Sequence, residues 1–462
     1  MVNKDVDKQT KLAIIAAAML SFLGILVETS LNVTFPTLAK ELHVSLGTVQ
    51  WVTSGYLLTV AVIMSTTGYL NQRFNAHNLF TAAITFNLVG TIICASAQNF
   101  VALISGRLLQ AVSTGISTPL LFNLVLTLVP QSKRGSYMGF SEMVISFAPA
   151  LGPTYGGTLT SFWSWRGIFI VALAILIITA IMGEKYIHLA PQGTLQKFDW
   201  LGVLLLTMML GSLSTAFTNA GKFGFTSFSF IGLLLVSVVI AFVLAWHLHR
   251  SSRKILNFRL LKQPLVALRW VNYFILAFIN IGISFVIPIF VEDCLHQSSF
   301  IAGLLLLPGA LVGAFVSPLA GKIFDHGQAF SSMLWSSLIM LTGSLLFFGT
   351  TGFITTLTIG IIYILMRGGF NLGFSNTLSD ASLQITRQEN AALNSLFNTT
   401  QQYAGSFGTS VLSAVIATTQ SHGGSLAAST ALGSKLDYGI LAVLCVISLI
   451  TVVWGRVIVK RQ

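Results

Sequence analysis

Glu28 and Arg107 are the residues whose types and positions most directly suggest chemistry. Glu28 is the only acid in an apolar run from about Leu12 to Phe35, a run long enough to cross a bilayer. A carboxylate in hydrocarbon is costly unless it has a partner, a water-filled cavity or a proton, which makes it a functional candidate by default. Glu28 precedes Pro36, where the run reaches the outer surface, by eight residues, or about 12 Å at the helical rise. Arg107 lies seven residues into the fourth apolar run, about 10 Å below the same surface. The matched depth predicts that the two face one cavity and exchange partners as a proton comes and goes. Burial favours the neutral acid and a guanidinium the charged one, so a small structural change could switch protonation. The competing reading is a permanent Glu28–Arg107 clamp that only orients helices, although a buried pair is a poor way to gain stability.

Polar residues near these two share helix faces. Asn32 follows Glu28 by one turn, Thr53, Tyr56 and Val60 share a face of the second run, and Arg107, Gln110 and Thr114 do the same on the fourth. Such residues either line a cavity or hydrogen-bond neighbouring helices, and both readings stand. The fifth run contains Ala148-Pro149-Ala150-Leu151-Gly152-Pro153-Thr154-Tyr155-Gly156-Gly157. Its prolines remove backbone donors and bend a helix, while Gly152, Gly156 and Gly157 bare a face for close approach, so a hinge is one reading and ordinary Gly-rich packing the other.

The elements that must position these residues are membrane spans. The chain has 462 residues, 54% of them hydrophobic and 8% charged, with a mean hydropathy of +0.83. So little charge excludes a water-soluble protein and predicts an all-α polytopic membrane protein. Windows of roughly 19 residues give about fourteen spans, from 12–35 and 48–70 through to 395–418 and 438–458. The weakest are 395–418, with its Asn, Thr and Gln, and the Ser-rich 331–350.

Basic residues set the orientation. Those near Lys4, Arg73, Lys133, Lys197, Arg250, Arg253, Lys254, Lys322, Arg387 and Arg456 fall on one side, whereas the other side has only Lys40, Arg166, Lys222 and Lys435. The positive-inside rule puts both termini in the cytoplasm, as an even span count requires. The net charge of +12 is scattered over short loops where anionic lipid attracts it, which argues against a nucleic-acid partner. Cys94, Cys294 and Cys445 are too far apart in sequence to suggest a disulfide framework or metal site.

Polar connectors divide the spans as six, two and six. The boundaries are 1–190 for the first bundle, 191–262 for two inserted helices with their connectors, and 263–462 for the second bundle. Two halves around an insert suggest a repeated transporter architecture with a substrate site near the midplane. Internal echoes agree: Gly68-Tyr-Leu-Asn-Gln72-Arg73 ends the second span and Gly321-Lys-Ile-Phe-Asp325-His326 the tenth. Arg107 and Arg367 each lie in the fourth span of a half.

Several motifs together resemble one family. Leu26-Val-Glu28-Thr29-Ser-Leu-Asn32-Val33-Thr-Phe-Pro36 and Gln50-Trp51-Val52-Thr53-Ser-Gly-Tyr56-Leu57-Leu58 look like the first two helices of the fourteen-spanner drug:proton antiporter branch of the major facilitator superfamily. Gly152-Pro153-x-x-Gly156-Gly157 resembles its antiporter motif, Arg107-x-x-Gln110 its fourth-helix arginine motif, and Asp199-Trp200-x-Gly202 the start of its two inserted helices. The resemblance covers essentially the whole chain. It implies the major facilitator fold, proton or cation recognition at Glu28, proton transfer at Arg107 and export rather than import through the fifth-helix motif, with Pro149 beside it. It also implies that Trp51 and Tyr56 help line a drug cavity, which Asn32, Gln110 and Thr114 join on the cavity-lining reading of their helix faces.

Departures from the family pattern are informative. Glu28 replaces the usual Asp. The loop after the second helix, normally Gly-x-Leu-x-Asp-Arg-x-Gly-Arg-Lys, keeps Gly68, Leu70 and Arg73 but has Gln72, Asn75, Ala76 and His77 at the other defined positions. Its gating charge pair is weakened, and Asp325 in the second half is the candidate to compensate. No acid occurs in Asn398-Thr399-Thr400-Gln401-Gln402, which argues against efficient export of dications. Glu142 is either a second proton or cation site or a side chain reaching towards Lys133 and Arg134. Glu292 and Asp293, beside His296, read as solvated.

The expectation is therefore a monomeric, multi-pass protein of the plasma membrane that exports small lipophilic, often cationic compounds in exchange for protons. It uses no cofactor beyond the proton gradient, since no Gly-rich phosphate loop with its Lys is present. The nearest rival is an exporter of one metabolite, peptide or lipid on the same fold; a sensor that has lost transport is the next. No His/Asp/Glu cluster of catalytic spacing suggests an enzyme.

Overall fold

Apolar runs flanked by loop residues form helices throughout the chain. The computed structural model describes residues 6–32, 34–44, 46–49, 51–130, 133–189, 198–250, 257–297, 299–386, 389–421 and 425–461. Lys4, Lys197, Arg253, Lys254 and Arg387, the connector 191–197 and motif residues Val33 and Gln50 lie outside them. Two compact units result, Met1–Lys197 and Phe198–Gln462.

The first unit contains α1 (Lys8–Asn32), α2 (Phe35–Glu41), α3 (Leu46–Val49), α4 (Trp51–Arg73), α5 (Ala76–Ala95), α6 (Phe100–Leu128), α7 (Arg134–Phe162) and α8 (Arg166–Tyr186). The first span ends at Asn32, short of Phe35, because Pro36 sits in the opening turn of α2, a position that favours starting a new helix. The short helices α2 and α3 were not legible as spans. The end of α2 is fixed by Glu41, which accepts from Trp165 Nε1 at 2.8 Å and Arg166 Nη1 at 3.3 Å.

The second unit contains α9 (Trp200–Phe223), α10 (Phe228–Arg250), a 3-10 turn at Phe258–Lys262, α11 (Pro264–Asp293), α12 (Ser299–Asp325), α13 (Ala329–Thr350), α14 (Thr356–Ser382), α15 (Asn390–Ser421) and α16 (Leu426–Arg461). The two expected inserted helices are α9 and α10, which pack on each other, while α9 packs on α15 through the edge-to-face contact of Phe217 and Phe407 at 5.2 Å. Asp199 of the Asp-Trp-x-Gly motif caps α9: its Oδ1 accepts from the backbone N–H of Gly202 at 3.0 Å.

Among the described residues, fourteen long helices correspond one to one with the fourteen expected spans. Eleven are long and apolar enough to cross a membrane by length and composition. The exceptions, α4, α7 and α15, have 23, 29 and 32 residues and fall short in composition, not length. They carry the hydroxyl, amide, Gly and Pro residues on which the functional argument rests. The Ser-rich α13 passes and the Asn/Thr/Gln-rich α15 does not.

In the first unit α1 is central, packing on α6, α7 and α8. Small residues at Ala13, Ala16, Ala17 and Ala18 are buried and admit close neighbours. The start of α6 is fixed by Asn99, whose side chain accepts from the N–H of Ala102 at 2.8 Å, and Arg107 falls two turns inside that start.

Candidate functional site

Glu28 sits on the turn of α1 where two neighbouring helices come closest. At Gly24, one turn earlier, a Cβ would collide with the side chain of Thr114 on α6. At the next residues, Thr29 and Ser30, the neighbour is α7: a Cβ on Gly152 would strike the Thr29 side chain, and one on Gly156 the Ser30 backbone. The Thr29 hydroxyl donates back to the Ile25 carbonyl at 2.9 Å and lies 3.5 Å from the carbonyl oxygen of Ala148. The motif glycines thus act at the turn that carries the acid. Gly157 has open space where a side chain would begin, Pro149 is exposed and Pro153 half-buried, and α7 runs unbroken through both prolines.

Arg107 is completely buried. Its Nη1 donates to Gln110 Oε1 at 2.8 Å, Gln110 Nε2 donates to Thr91 Oγ1 at 2.8 Å, and Thr91 Oγ1 donates to Asn87 Oδ1 at 3.2 Å. The guanidinium lies 4.1 Å from the centre of the Tyr56 ring, a cation–π geometry. The Tyr56 hydroxyl in turn is 2.7 Å from Thr114 Oγ1 and 3.1 Å from the Gly24 carbonyl oxygen. Arg107 Nε and Nη2 are buried without a hydrogen-bond partner.

Glu28 is half-buried and feels the charge of Arg107. Among the described residues no ion pair joins them directly. The arrangement is therefore two opposite charges in electrostatic contact, one turn of α1 and one ring of Tyr56 connecting their surroundings, with unmade hydrogen bonds on the cation.

The remaining expected cavity residues divide into two groups. Tyr56, Gln110 and Thr114 are buried and committed to the network around Arg107. Asn32 and Trp51 are exposed, and Asn32 Oδ1 accepts from Thr53 Oγ1 of α4 at 2.8 Å.

In the gating loop Gly68 is buried at the end of α4, and Arg73 is exposed, lying over the Phe74 ring at 5.9 Å. The Gln72 side chain lies outside the described residues. His77, at the last position of that loop pattern, pairs with Glu184 of α8 at 3.1 Å, and the same carboxylate accepts from Thr81 at 2.6 Å. This α5–α8 pair was not anticipated, because Glu184 is 107 residues away in sequence, the difference of 184 and 77. Asp325 ends α12 in the second unit and is exposed.

The second unit holds a counterpart. Arg367 of α14 is buried, donates through Nη1 to Asn280 Oδ1 of α11, and lies 5.6 Å from the Phe370 ring. Asn280 precedes Pro288 by eight residues, as Glu28 precedes Pro36. That spacing was the available signal for Asn280. The buried acid Asp437 was missed because the last span was begun at the following residue.

The sequence matches the Major Facilitator Superfamily over residues 17–409. This chain belongs to the major facilitator superfamily. It is 32% identical to the lincomycin resistance protein LmrB of Bacillus subtilis over 419 residues, covering 88% of this chain and 85% of that protein. Its identity to the LmrB of Listeria monocytogenes is 31% over 395 residues, covering 85% of this chain and 83% of the relative. A similar solved structure is the human organic anion transporter MFSD10 (TETRAN), with a TM-score of 0.66 at 13% identity, covering 96% of this chain and 99% of that one; at that identity the likeness concerns the fold. As a member of this superfamily the protein is a multi-pass membrane transporter and not an enzyme.

Proposed function

We propose that this transporter exports lipophilic, often cationic drugs from the cytoplasm in exchange for protons, by alternating access in the plasma membrane with both termini cytoplasmic. The observation that carries the reading is the state of Glu28: an acid within an apolar span, held by glycine contacts on α6 and α7, in electrostatic contact with Arg107 but not bonded to it. An acid so placed can lose its proton toward the cation and regain it without breaking a salt bridge. The fifth-helix motif supports the export direction, because α7 touches α1 beside Glu28 and a shift of α7 changes the surroundings of the acid directly. The lincomycin resistance relatives support a small-molecule drug as substrate.

The proton gradient supplies the energy, with no cofactor and no nucleic-acid partner, and one chain suffices for the cycle. Exposed Trp51 and Asn32 are the side chains of this region open to a substrate. A lipophilic monocation would meet the face of the indole favourably. The test is Glu28→Gln in proteoliposomes with an imposed pH gradient: the variant folds but loses gradient-driven transport of a lipophilic dye while retaining dye exchange at equal pH. Wild-type rates of gradient-driven transport in the variant would reject proton coupling at Glu28.

A further inference from the structure

A second acid is buried in the long last helix. Asp437 of α16 has no exposed surface, and both carboxyl oxygens lack a hydrogen-bond partner. Ser434, three residues earlier on the same face, is also fully buried with its hydroxyl unpartnered. One further turn back, the Thr430 hydroxyl donates to Asp293 Oδ2 of α11 at 3.1 Å. Gln420 of α15 lies 2.7 Å from Thr430 Oγ1 and 3.3 Å from the same Asp293 oxygen. Thr430, Ser434 and Asp437 follow i, i+4, i+7 spacing and form one polar stripe on α16.

The two carboxyls have opposite surroundings. Asp293, at the end of α11, has polar donors and borders a cavity of about 310 Å³ that Glu292, Ser413 and Gln420 also line. Asp437 is seven residues further along α16 than Thr430, about 10 Å deeper, and has none of these donors. The titratable groups nearby on α11 are Glu292, Asp293 and Cys294. α13 contributes none and α15 only Tyr403. On α16 itself Tyr438 stacks on Phe347 at 4.8 Å, Lys435 lies over the Phe348 ring at 5.3 Å and Cys445 is buried two turns on. No cation among the described residues pairs with Asp437. An unpaired buried carboxylate is far costlier than a neutral acid with an unmade hydrogen bond.

We propose that Asp437 is a second, exchangeable proton-binding site, loaded from the Asp293 cavity through Thr430 and Ser434. Occupancy by a proton stands on the burial and missing partners of Asp437. Use of that proton in transport would rest on the proton-coupled reading above.

Infrared spectroscopy of the full protein in liposomes tests it. The expected result is a carboxylic-acid carbonyl band at neutral pH that shifts on transfer to D2O, vanishes in Asp437→Asn, and moves without vanishing in Asp437→Glu. The Glu variant decides the outcome if the Asn variant does not fold. Loss of carboxylate bands instead of the acid band in Asp437→Asn would overturn the proposal, as would an acid band that ignores D2O or a shift back to carboxylate on adding sodium. Glu28→Gln leaves the Asp437 band in place, so failure of coupling at Glu28 and failure of this site give different results.

Discussion

Two of the buried arginines, Arg107 and Arg367, occupy matching places in the two units and have different partners. In the first unit Arg107 faces an acid that it does not bond, and its direct hydrogen bond goes to Gln110 on its own helix. In the second unit Arg367 bonds an amide, Asn280, which stands eight residues before a proline as Glu28 does. The cation of the first unit rests on Tyr56 of α4, whereas Arg367 lies by Phe370 of its own α14. The second unit does contain a direct buried ion pair, Arg269 to Asp380 at 2.6 Å, but it is elsewhere. The lesson concerns the partner's chemistry: an amide cannot change charge over the working pH range, so on the proton-coupled reading proposed above this arginine site in the second unit is static while that of the first switches.

Four changes and one control break or sharpen that contrast. The largest effect is expected from Glu28→Gln, which gives the first unit the neutral partner that the second already has; dye efflux driven by a pH gradient falls to the level of empty liposomes. Next, Asp380→Asn strands Arg269 and should destabilise the protein by roughly 3–5 kcal/mol, read as a lower thermal unfolding temperature in detergent, because that pair is structural. Gly156→Val forces α7 away from the Ser30 backbone and is expected to cost about 1–3 kcal/mol. Its transport should fall more than its stability, whereas Gly157→Ala, which meets open space, leaves both within about 0.5 kcal/mol of wild type. The smallest effect apart from that glycine control is expected from Asn280→Asp: a charged acceptor for Arg367 should raise stability by about 1 kcal/mol without adding a transported proton, and a higher proton count per dye molecule would show that the second unit is not static.

Much of the fold was legible because lipid imposes simple demands: a span must be long, apolar and internally hydrogen-bonded. All fourteen long helices were therefore visible, and the error at the first span, Phe35 instead of Asn32, came from a proline that starts a helix as readily as it ends one. Asp437 escaped notice for a related reason. The run that contains it begins with Ser, Thr, Gly and Lys residues, yet α16 continues as one helix from Leu426, so an acid assigned to a helix end lies well inside the helix.

At the site, sequence spacing was enough to suggest that Glu28 and Asn32, Thr53 and Tyr56, or Arg107 and Gln110, share faces. It was not enough to separate cavity lining from helix pairing. Tyr56 and Thr114 bond each other across α4 and α6, and residues 58 apart in the chain reveal no such bond by pattern. The loop Gln72 to His77 looked eroded when judged by its own residues, but His77 is paired with Glu184, a partner that the loop pattern does not contain.

The sequence by itself determined that this is a polytopic helical membrane protein with an acid and an arginine inside apolar spans of its first half, because length and composition suffice for that. Only the tertiary structure decided that Glu28 is held between Gly24 and Gly152 contacts without bonding Arg107, that Asn280 takes the equivalent place beside Arg367, and that Asp437 has no partner. Hydrogen bonds form over about 3 Å between residues brought together from distant helices, and that precision lies beyond what periodicity encodes.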